Sequence, residues 1–147
     1  MDTQRILALD VGEKRIGVAV SDPLRMIASP HSVLQRKPGR KGTEEVIRQI
    51  GELVSSLDVS DVVIGLPLRT DGKTGEAEKQ VREFAELLRV TVTARIALVD
   101  ERFTTRQATH ALLEGDVSRA ERKHVVDKVA AAIILQQYLD GHRSGSA

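Results

Sequence analysis

The pattern of apolar and polar positions predicts a sheet that begins with three consecutive strands. Residues 6–9 form an apolar run that ends at Asp10, which is typical of a buried strand. Residues 16–21 alternate between branched apolar and small side chains, which is the period-2 pattern of a second strand. A third strand is expected near residues 26–34, and Pro30 favours an edge position for it because proline cannot donate a ladder hydrogen bond. The three segments together predict an antiparallel meander.

Amphipathic helices and buried strands alternate after the third strand. Apolar residues recur at helical spacing behind Thr43, which predicts a helix with Thr43 as its N-cap and a basic loop over Gln35–Gly42. The elements expected further along are a strand at 62–64, a helix at 76–88, a strand at 96–99, a helix begun by Thr104 and Gln107 and ended by Gly115, and a long helix at 125–139. This order favours an α/β fold whose later strands run parallel to the first and bind ligands at their carboxyl ends.

The domain organisation follows from the length and from the lack of linkers. The 147 residues are close to the common size of one domain, and no segment is suited to divide two. We therefore expect one domain over residues 1–140 and a polar C-terminal tail over residues 141–147.

The composition excludes several classes of protein. Lys and Arg number 22 against 21 for Asp and Glu, so bulk positive charge cannot hold duplex DNA, although a local basic patch still can. The chain has no cysteine, which excludes a disulfide framework, a thiolate zinc site and a cysteine nucleophile. Aromatic residues are too few for a platform that stacks successive bases. The longest apolar run, residues 129–135, is far shorter than the ~20 residues of a membrane span, and no signal-peptide core precedes Asp10, so the cytoplasm is the expected compartment.

Acidic residues at strand ends are the first candidates for chemistry. Asp10 directly follows the first apolar run, and Asp100 and Glu101 follow a later one. Acids at strand ends commonly cap turns or stay hydrated, so each of them alone carries little information. Because neighbouring residues of a strand point to opposite faces, only one of Asp100 and Glu101 needs to share a site with Asp10, and the alternation does not say which.

Asp127 is the most informative acid, because it falls on the apolar stripe of the last helix. It shares that stripe with Ala131, Ile134 and Tyr138. A buried carboxylate without a partner is costly, so Asp127 needs an arginine, a helix end or a metal ion, unless it stays hydrated near the helix start. The run Ala130–Ala132 would let this helix approach the sheet closely.

Three carboxylates from distant segments could meet at one edge of the sheet. The chain has no cysteine, and its four histidines show no pairing, so an oxygen-rich site for Mg²⁺ or Mn²⁺ is favoured. Two such ions, about 3.5–4 Å apart, can activate a water and stabilise the leaving oxygen in phosphodiester hydrolysis.

Basic residues lie in loops or beside these acids and could hold a polyanion around an acidic centre. Taken singly, each is more commonly a solvated surface charge, but Arg15, Arg102 and Lys128 stand out because of their placement next to the acids. The whole set comprises Lys14, Arg15, Arg36, Lys37, Arg40, Lys41, Arg102, Arg122, Lys123 and Lys128.

Four segments, in order and at fitting spacing, resemble the blocks of the YqgF/RuvX family. They are residues 10–22, Gly65-Leu-Pro67 with Asp71-Gly72 and Gly75, residues 100–105, and residues 127–136, and the likeness spans residues 6–139. The resemblance implies an RNase H-like fold, with a five-stranded mixed sheet of order 3-2-1-4-5 flanked by helices. It also implies a metal-dependent endonuclease that matures the 5′ end of pre-16S ribosomal RNA, or alternatively a Holliday junction resolvase.

The resemblance also assigns site residues. By motif, the catalytic and metal-binding acids are Asp10, Glu101 and Asp127, with two Mg²⁺ or Mn²⁺ ions; Glu101 is preferred because the family pattern centres on its Glu-Arg pair. In the implied sheet order, Glu101 has to reach across Gly65, whose missing side chain leaves room. The predicted nucleic-acid-binding residues are Lys14, Arg15, Arg36, Lys37, Arg40, Lys41, Arg102 and Lys128.

Two other functions compete with the nuclease. A non-catalytic module would bind branched nucleic acid through its basic residues in a salt-dependent manner and without metal. A kinase-like ATPase would use the hairpin at residues 10–21 to bind phosphate, but such enzymes need two domains around a cleft.

The expected partners are structured RNA or branched DNA and pre-ribosomal particles, with no membrane. A homodimer would supply two sites for two cuts on a junction, and the choice between RNA and DNA depends on contacts to the 2′-hydroxyl.

Overall fold

Five strands form one mixed sheet in the computed structural model, which describes residues 4–67, 75–100 and 119–145, and in the last range the side chains of residues 127–142. The strands are β1 (Arg5–Val11), β2 (Arg15–Ser21), β3 (Ala28–Gln35), β4 (Val59–Leu66) and β5 (Arg95–Asp100). The helices are α1 (Gly39–Ser56), α2 (Glu76–Arg89) and α3 (Arg119–Gly145). The predicted helix over residues 104–115 lies outside the described residues.

The strand order is β3-β2-β1-β4-β5, which confirms the order 3-2-1-4-5. β2 pairs antiparallel with β1 on one side and with β3 on the other, so the predicted meander is confirmed. β4 runs parallel to β1, and β5 runs parallel to β4. β3 lies at the edge, where the ring of Pro30 costs the sheet no central hydrogen bond.

Alternate side chains of the central strands point into two apolar layers, one on each face of the sheet. On β1, Leu7 and Leu9 belong to the core under α1 and α2, whereas Ile6 and Ala8 belong to the core under α3. Both faces are therefore buried, which explains why residues 6–9 read as one continuous apolar run.

Small side chains bring α3 close to the sheet, as predicted from the alanine run. Ala130 and Ala131 are fully buried, and Ala19 of β2 lies in the same apolar cluster as Ala131. At Gly17 of β2, an added Cβ would lie 1.9 Å from the main-chain oxygen of Asp127. No side chain fits there, so β2 and α3 are in direct backbone contact.

The beginning of α1 differs from the sequence prediction. The helix begins at Gly39, with Pro38 at the N-cap, so the prediction of Thr43 as the N-cap is wrong. Gly39 has φ of +88°, a conformation that glycine adopts at little cost. Gly42 leaves room for the carbonyl oxygen of Lys37, because a Cβ at residue 42 would lie 1.8 Å from that oxygen. The helix thus begins five residues earlier than predicted, inside the segment expected to be a loop.

The last helix is longer than predicted at both ends. It runs over Arg119–Gly145, so residues 141–145 of the predicted tail are helical. Among the helices of the described ranges, none combines the length and apolar character that a membrane span requires.

Candidate active site

Asp10 lies near the carboxyl end of β1, on the face that α3 covers. Ile6 and Ala8, which precede it at two-residue intervals, pack in the cluster under α3. The ladder between β1 and β2 pairs Asp10 with Gly17, and the Asp10 side chain is half-buried. Asp10 therefore lies beside the position where α3 touches the sheet.

Asp127 lies over the same glycine. Its main-chain oxygen occupies the space that a Gly17 side chain would need. Its carboxylate Oδ2 accepts a hydrogen bond of 2.8 Å from Nε of Arg15, and each of the two side chains is 23% exposed. The partner that Asp127 needs on its apolar stripe is therefore an arginine, Arg15. The structure brings together Asp10, Arg15 and Asp127, three of the residues singled out from the sequence.

Asp100 and Asp10 lie on opposite faces of the sheet. Asp100 pairs with Leu66, and Leu66 and Leu98 belong to the core layer under α1 and α2. Val99 packs on the α3 side instead. The strand alternation, which left Asp100 and Glu101 equivalent in the sequence, therefore separates Asp100 from Asp10 and Asp127. Glu101 and Arg102 lie outside the described residues.

Gly65 lies between β1 and β5 on the α3 side of the sheet. It follows Val63, which packs under α3, by two residues, and it pairs with Val99 of β5. In the β1–β4 ladder it comes directly after the pair of Leu9 with Ile64. A side chain reaching from the end of β5 toward Asp10 thus meets no side chain at residue 65. Within the described residues, no group of three or more acidic, histidine or cysteine side chains could hold a metal ion.

Arg36, one of the predicted nucleic-acid-binding residues, is half-buried and contacts other parts of its own chain. Its guanidinium group donates to the carbonyl of Gly12 at 2.9 Å and to Oγ1 of Thr43 at 3.1 Å. Its Cζ lies 5.2 Å from the ring centroid of Phe84. The main-chain N–H of Arg36 donates to the carbonyl of Lys14 at 2.8 Å. Arg36 therefore joins the β1–β2 turn to α1 and α2.

Other basic residues near this turn are exposed. Lys14 lies in the turn, and Lys37 precedes α1. Arg40 and Lys41 lie in the first turn of α1, where Arg40 forms an exposed ion pair of 3.1 Å with Glu44. Exposed ion pairs of this kind are weak, so Arg40 and Lys41 both remain able to contact a phosphate. Lys128, next to Asp127 on α3, is half-buried.

A second charged cluster lies at the opposite end of the sheet. Asp61 is 7% exposed and pairs with Arg25 at 3.4 Å and with Arg95 at 2.7 Å. The β1–β4 ladder aligns Asp61 with Ile6, four residues before Asp10. This cluster is therefore separate from the site around Gly17.

Two polar side chains organise the β2–β3 connection, and neither role was predicted from the sequence. Hydrogen bonds from the main-chain N–H groups of Ile27 and Met26 to Oδ1 hold the pKa of Asp22 below its ordinary value. The side chain of Gln136 on α3 accepts a hydrogen bond of 2.9 Å from the N–H of Ala28. Their positions in the sequence could have indicated these roles, because Asp22 ends the first family-like segment and Gln136 ends the last.

Comparisons with known proteins agree with this fold and with the motifs. The family model described as "RuvX: Holliday junction resolvase" matches residues 4–141. A protein of Syntrophomonas wolfei, named "Putative pre-16S rRNA nuclease", is 43% identical over 141 residues, which cover 96% of this chain and 97% of the relative. A protein of Dictyoglomus turgidum with the same name is 43% identical over 136 residues, covering 92% and 94%. The solved structure of Thermus thermophilus RuvC has a TM-score of 0.59 at 10% identity, over 96% of this chain and 97% of that one, and it confirms the RNase H-like fold. The chain belongs to the RuvX family.

Proposed function

We propose that this protein is a metal-dependent endonuclease that acts on structured RNA, and that its substrate is the 5′ end of pre-16S ribosomal RNA. The observation that carries the proposal is the meeting of Asp10 and Asp127 at Gly17, at the carboxyl end of β1. Substrates of open α/β sheets bind at this end of the strands. The names of the relatives support the choice of RNA substrate.

The chemistry of the donor set fits Mg²⁺ or Mn²⁺. Both ions prefer carboxylate oxygens, and the ion pair with Arg15 uses one of the two carboxylate oxygens of Asp127. We propose Asp10 and Asp127 as ligands, with Glu101 as the third. Two such ions, when bound, would supply an activated water and would stabilise the leaving oxygen.

The protein's own residues then bind and orient the RNA. Lys14, Lys37, Arg40 and Lys41 are exposed around the β1–β2 turn and the start of α1. We propose that they bind phosphates of the substrate on that side, while Lys128 and Arg102 act closer to the acids. Arg36 would act indirectly, because its guanidinium group already holds the turn in place.

The test is the cleavage of a precursor RNA in Mn²⁺ by the Asp10→Asn variant. We expect the variant to lose cleavage and to keep its melting temperature, since the substitution removes charge at almost constant volume. Asp58→Asn is the matched control, because Asp58 is an exposed acid at φ of +54°, a conformation that asparagine adopts readily. Cleavage by Asp10→Asn at the wild-type rate would contradict the proposal.

The ion pair between Arg15 and Asp127 favours a second candidate, a module that binds nucleic acid without cutting it. An acid that an arginine already neutralises does not need a metal ion. A gel shift in EDTA beside a cleavage assay in Mn²⁺ separates the two functions. The same assays with a four-way DNA junction test the resolvase alternative. Pre-ribosomal particles as partners, a homodimer and a cytoplasmic location stay predictions.

A further inference from the structure

We propose that Arg15 exchanges partners during the reaction cycle. In the cation-free protein its guanidinium group binds Asp127; once a divalent cation has taken Asp127, the group turns to a phosphate of the nucleic acid. Arg15 is then both a counter-ion of the cation site and a positioning residue for the substrate. The inference rests on the proposed function, because it takes Asp127 to be a cation ligand.

The contact between Arg15 and Asp127 is suited to exchange. Within the described residues, the guanidinium group of Arg15 donates through Nε alone, to a single carboxylate oxygen. Each side chain is 23% exposed, so solvent reaches both. The guanidinium group of Arg36, in contrast, has two hydrogen-bonded partners and an aromatic ring. Arg36 is therefore fixed, whereas Arg15 has one contact to break.

The charges around Gly17 supply the driving force. Asp10 pairs with Gly17 in the ladder, and the main chain of Asp127 covers the same residue, so two acidic residues flank Gly17. Arg15, on the same face of β2 as Gly17, balances the charge of Asp127. A divalent cation bound there would neutralise the carboxylates and repel the guanidinium group. A phosphate is the matching new partner, because arginine binds phosphate oxygens through its planar donors.

The first experiment measures nucleic-acid affinity with and without a cation. The probe is a fluorescent RNA hairpin read by anisotropy, in EDTA and in Ca²⁺, with gel analysis to verify that the RNA stays intact. We expect Arg15→Gln to weaken binding about tenfold in Ca²⁺ and less than about twofold in EDTA. Lys14→Gln, the adjacent exposed cation, should weaken binding equally in both. Equal losses for Arg15→Gln in both buffers, or no loss in either, would overturn the exchange.

The second experiment releases Arg15 without any cation. In EDTA, Asp127→Asn should raise RNA affinity about threefold to fivefold, because Arg15 loses its anionic partner and becomes available to phosphate. The double variant Arg15→Gln/Asp127→Asn should lose that gain, which double-mutant analysis isolates as coupling between the two residues. If the double variant kept the gain, removal of the acid's repulsion would be the whole effect and the exchange would be wrong.

Calorimetry with Mn²⁺ alone separates this inference from the proposed function. Arg15→Gln should bind Mn²⁺ about threefold to fivefold more tightly than the wild type, because the competing cation is gone. Arg15→Lys, which keeps the charge, should bind Mn²⁺ with nearly the wild-type affinity. That result would show that the substituted site is still folded. A wild type that binds Mn²⁺ with the same affinity as Arg15→Gln overturns the exchange alone. A wild type that binds no Mn²⁺ overturns the proposed metal site and the exchange with it.

Discussion

The main-chain carbonyl of Asp127 occupies the space in which residue 17 would otherwise carry a side chain. A Cβ on Gly17 would lie 1.9 Å from that oxygen and 2.4 Å from the carbonyl carbon. Both atoms belong to the backbone, so neither can rotate away. The position of Asp127 in the site is therefore coupled to the absence of a single methyl group on β2.

Gly17→Ala is expected to be severe for this reason. The added methyl group must push α3 off the sheet, and we expect a loss of about 3 kcal/mol in the free energy of unfolding, together with loss of cleavage. Urea denaturation measures the stability. Gly51→Ala in α1 is the matched control, because its Cβ would meet only a Val92 methyl at 3.9 Å and alanine favours helix. A Gly17→Ala protein as stable as the wild type would show that α3 can shift freely.

Asp100 and Glu101 should differ sharply in their effect on cleavage. Asp100 lies on the face of the sheet opposite Asp10, so we expect Asp100→Asn to keep activity within about threefold. Glu101→Gln should lose at least about a hundredfold, since a cation ligand supplies several kcal/mol to the transition state. Single-turnover cleavage of the precursor RNA measures both. The reverse ranking would assign the ligand to Asp100.

Arg36 and Lys37 are neighbours with different expected roles. Arg36→Gln should lower the free energy of unfolding by about 1–2 kcal/mol, because it removes charge-assisted hydrogen bonds to Gly12 and Thr43. Lys37→Gln, at an exposed position, should leave stability unchanged within about 0.5 kcal/mol and weaken RNA binding in a salt-dependent manner. Thermal unfolding and anisotropy at two salt concentrations distinguish them. Equal melting temperatures for the two variants would mean that the Arg36 contacts contribute no stability.

The depressed pKa of Asp22 predicts a pH-dependent contribution to stability. The N–H of Ile27, followed by that of Met26, stabilises the ionised carboxylate in the folded state. The folded pKa is below the ordinary value of 3.8, so the contribution is present at neutral pH and is lost as pH falls through the folded pKa. The stability difference between wild type and Asp22→Asn should therefore shrink below about pH 4. Urea unfolding at pH 7, 5 and 3.5 measures it, and a difference that does not change with pH would contradict the assignment.

The strands and the candidate acids were predictable because their signals are local. The apolar run before Asp10, the alternation over residues 16–21 and the proline of β3 each encode a strand in a few residues. Asp127 was notable for a similar reason, since helical periodicity places it on an apolar stripe. The order of the sheet came from the family resemblance, because hydrophobic periodicity alone does not say which strands are neighbours.

Only the tertiary structure decided how these residues meet. Arg15 and Asp127 are 112 positions apart, and their pairing depends on where α3 crosses the sheet. That crossing depends on Gly17, whose importance in the sequence was hidden within an ordinary strand pattern. The face of Asp100 depends on strand register, which is set by the packing of β5 against β4. Sequence periodicity thus determined which residues could form the site, whereas contacts between distant segments, set by backbone packing, decided which of them do.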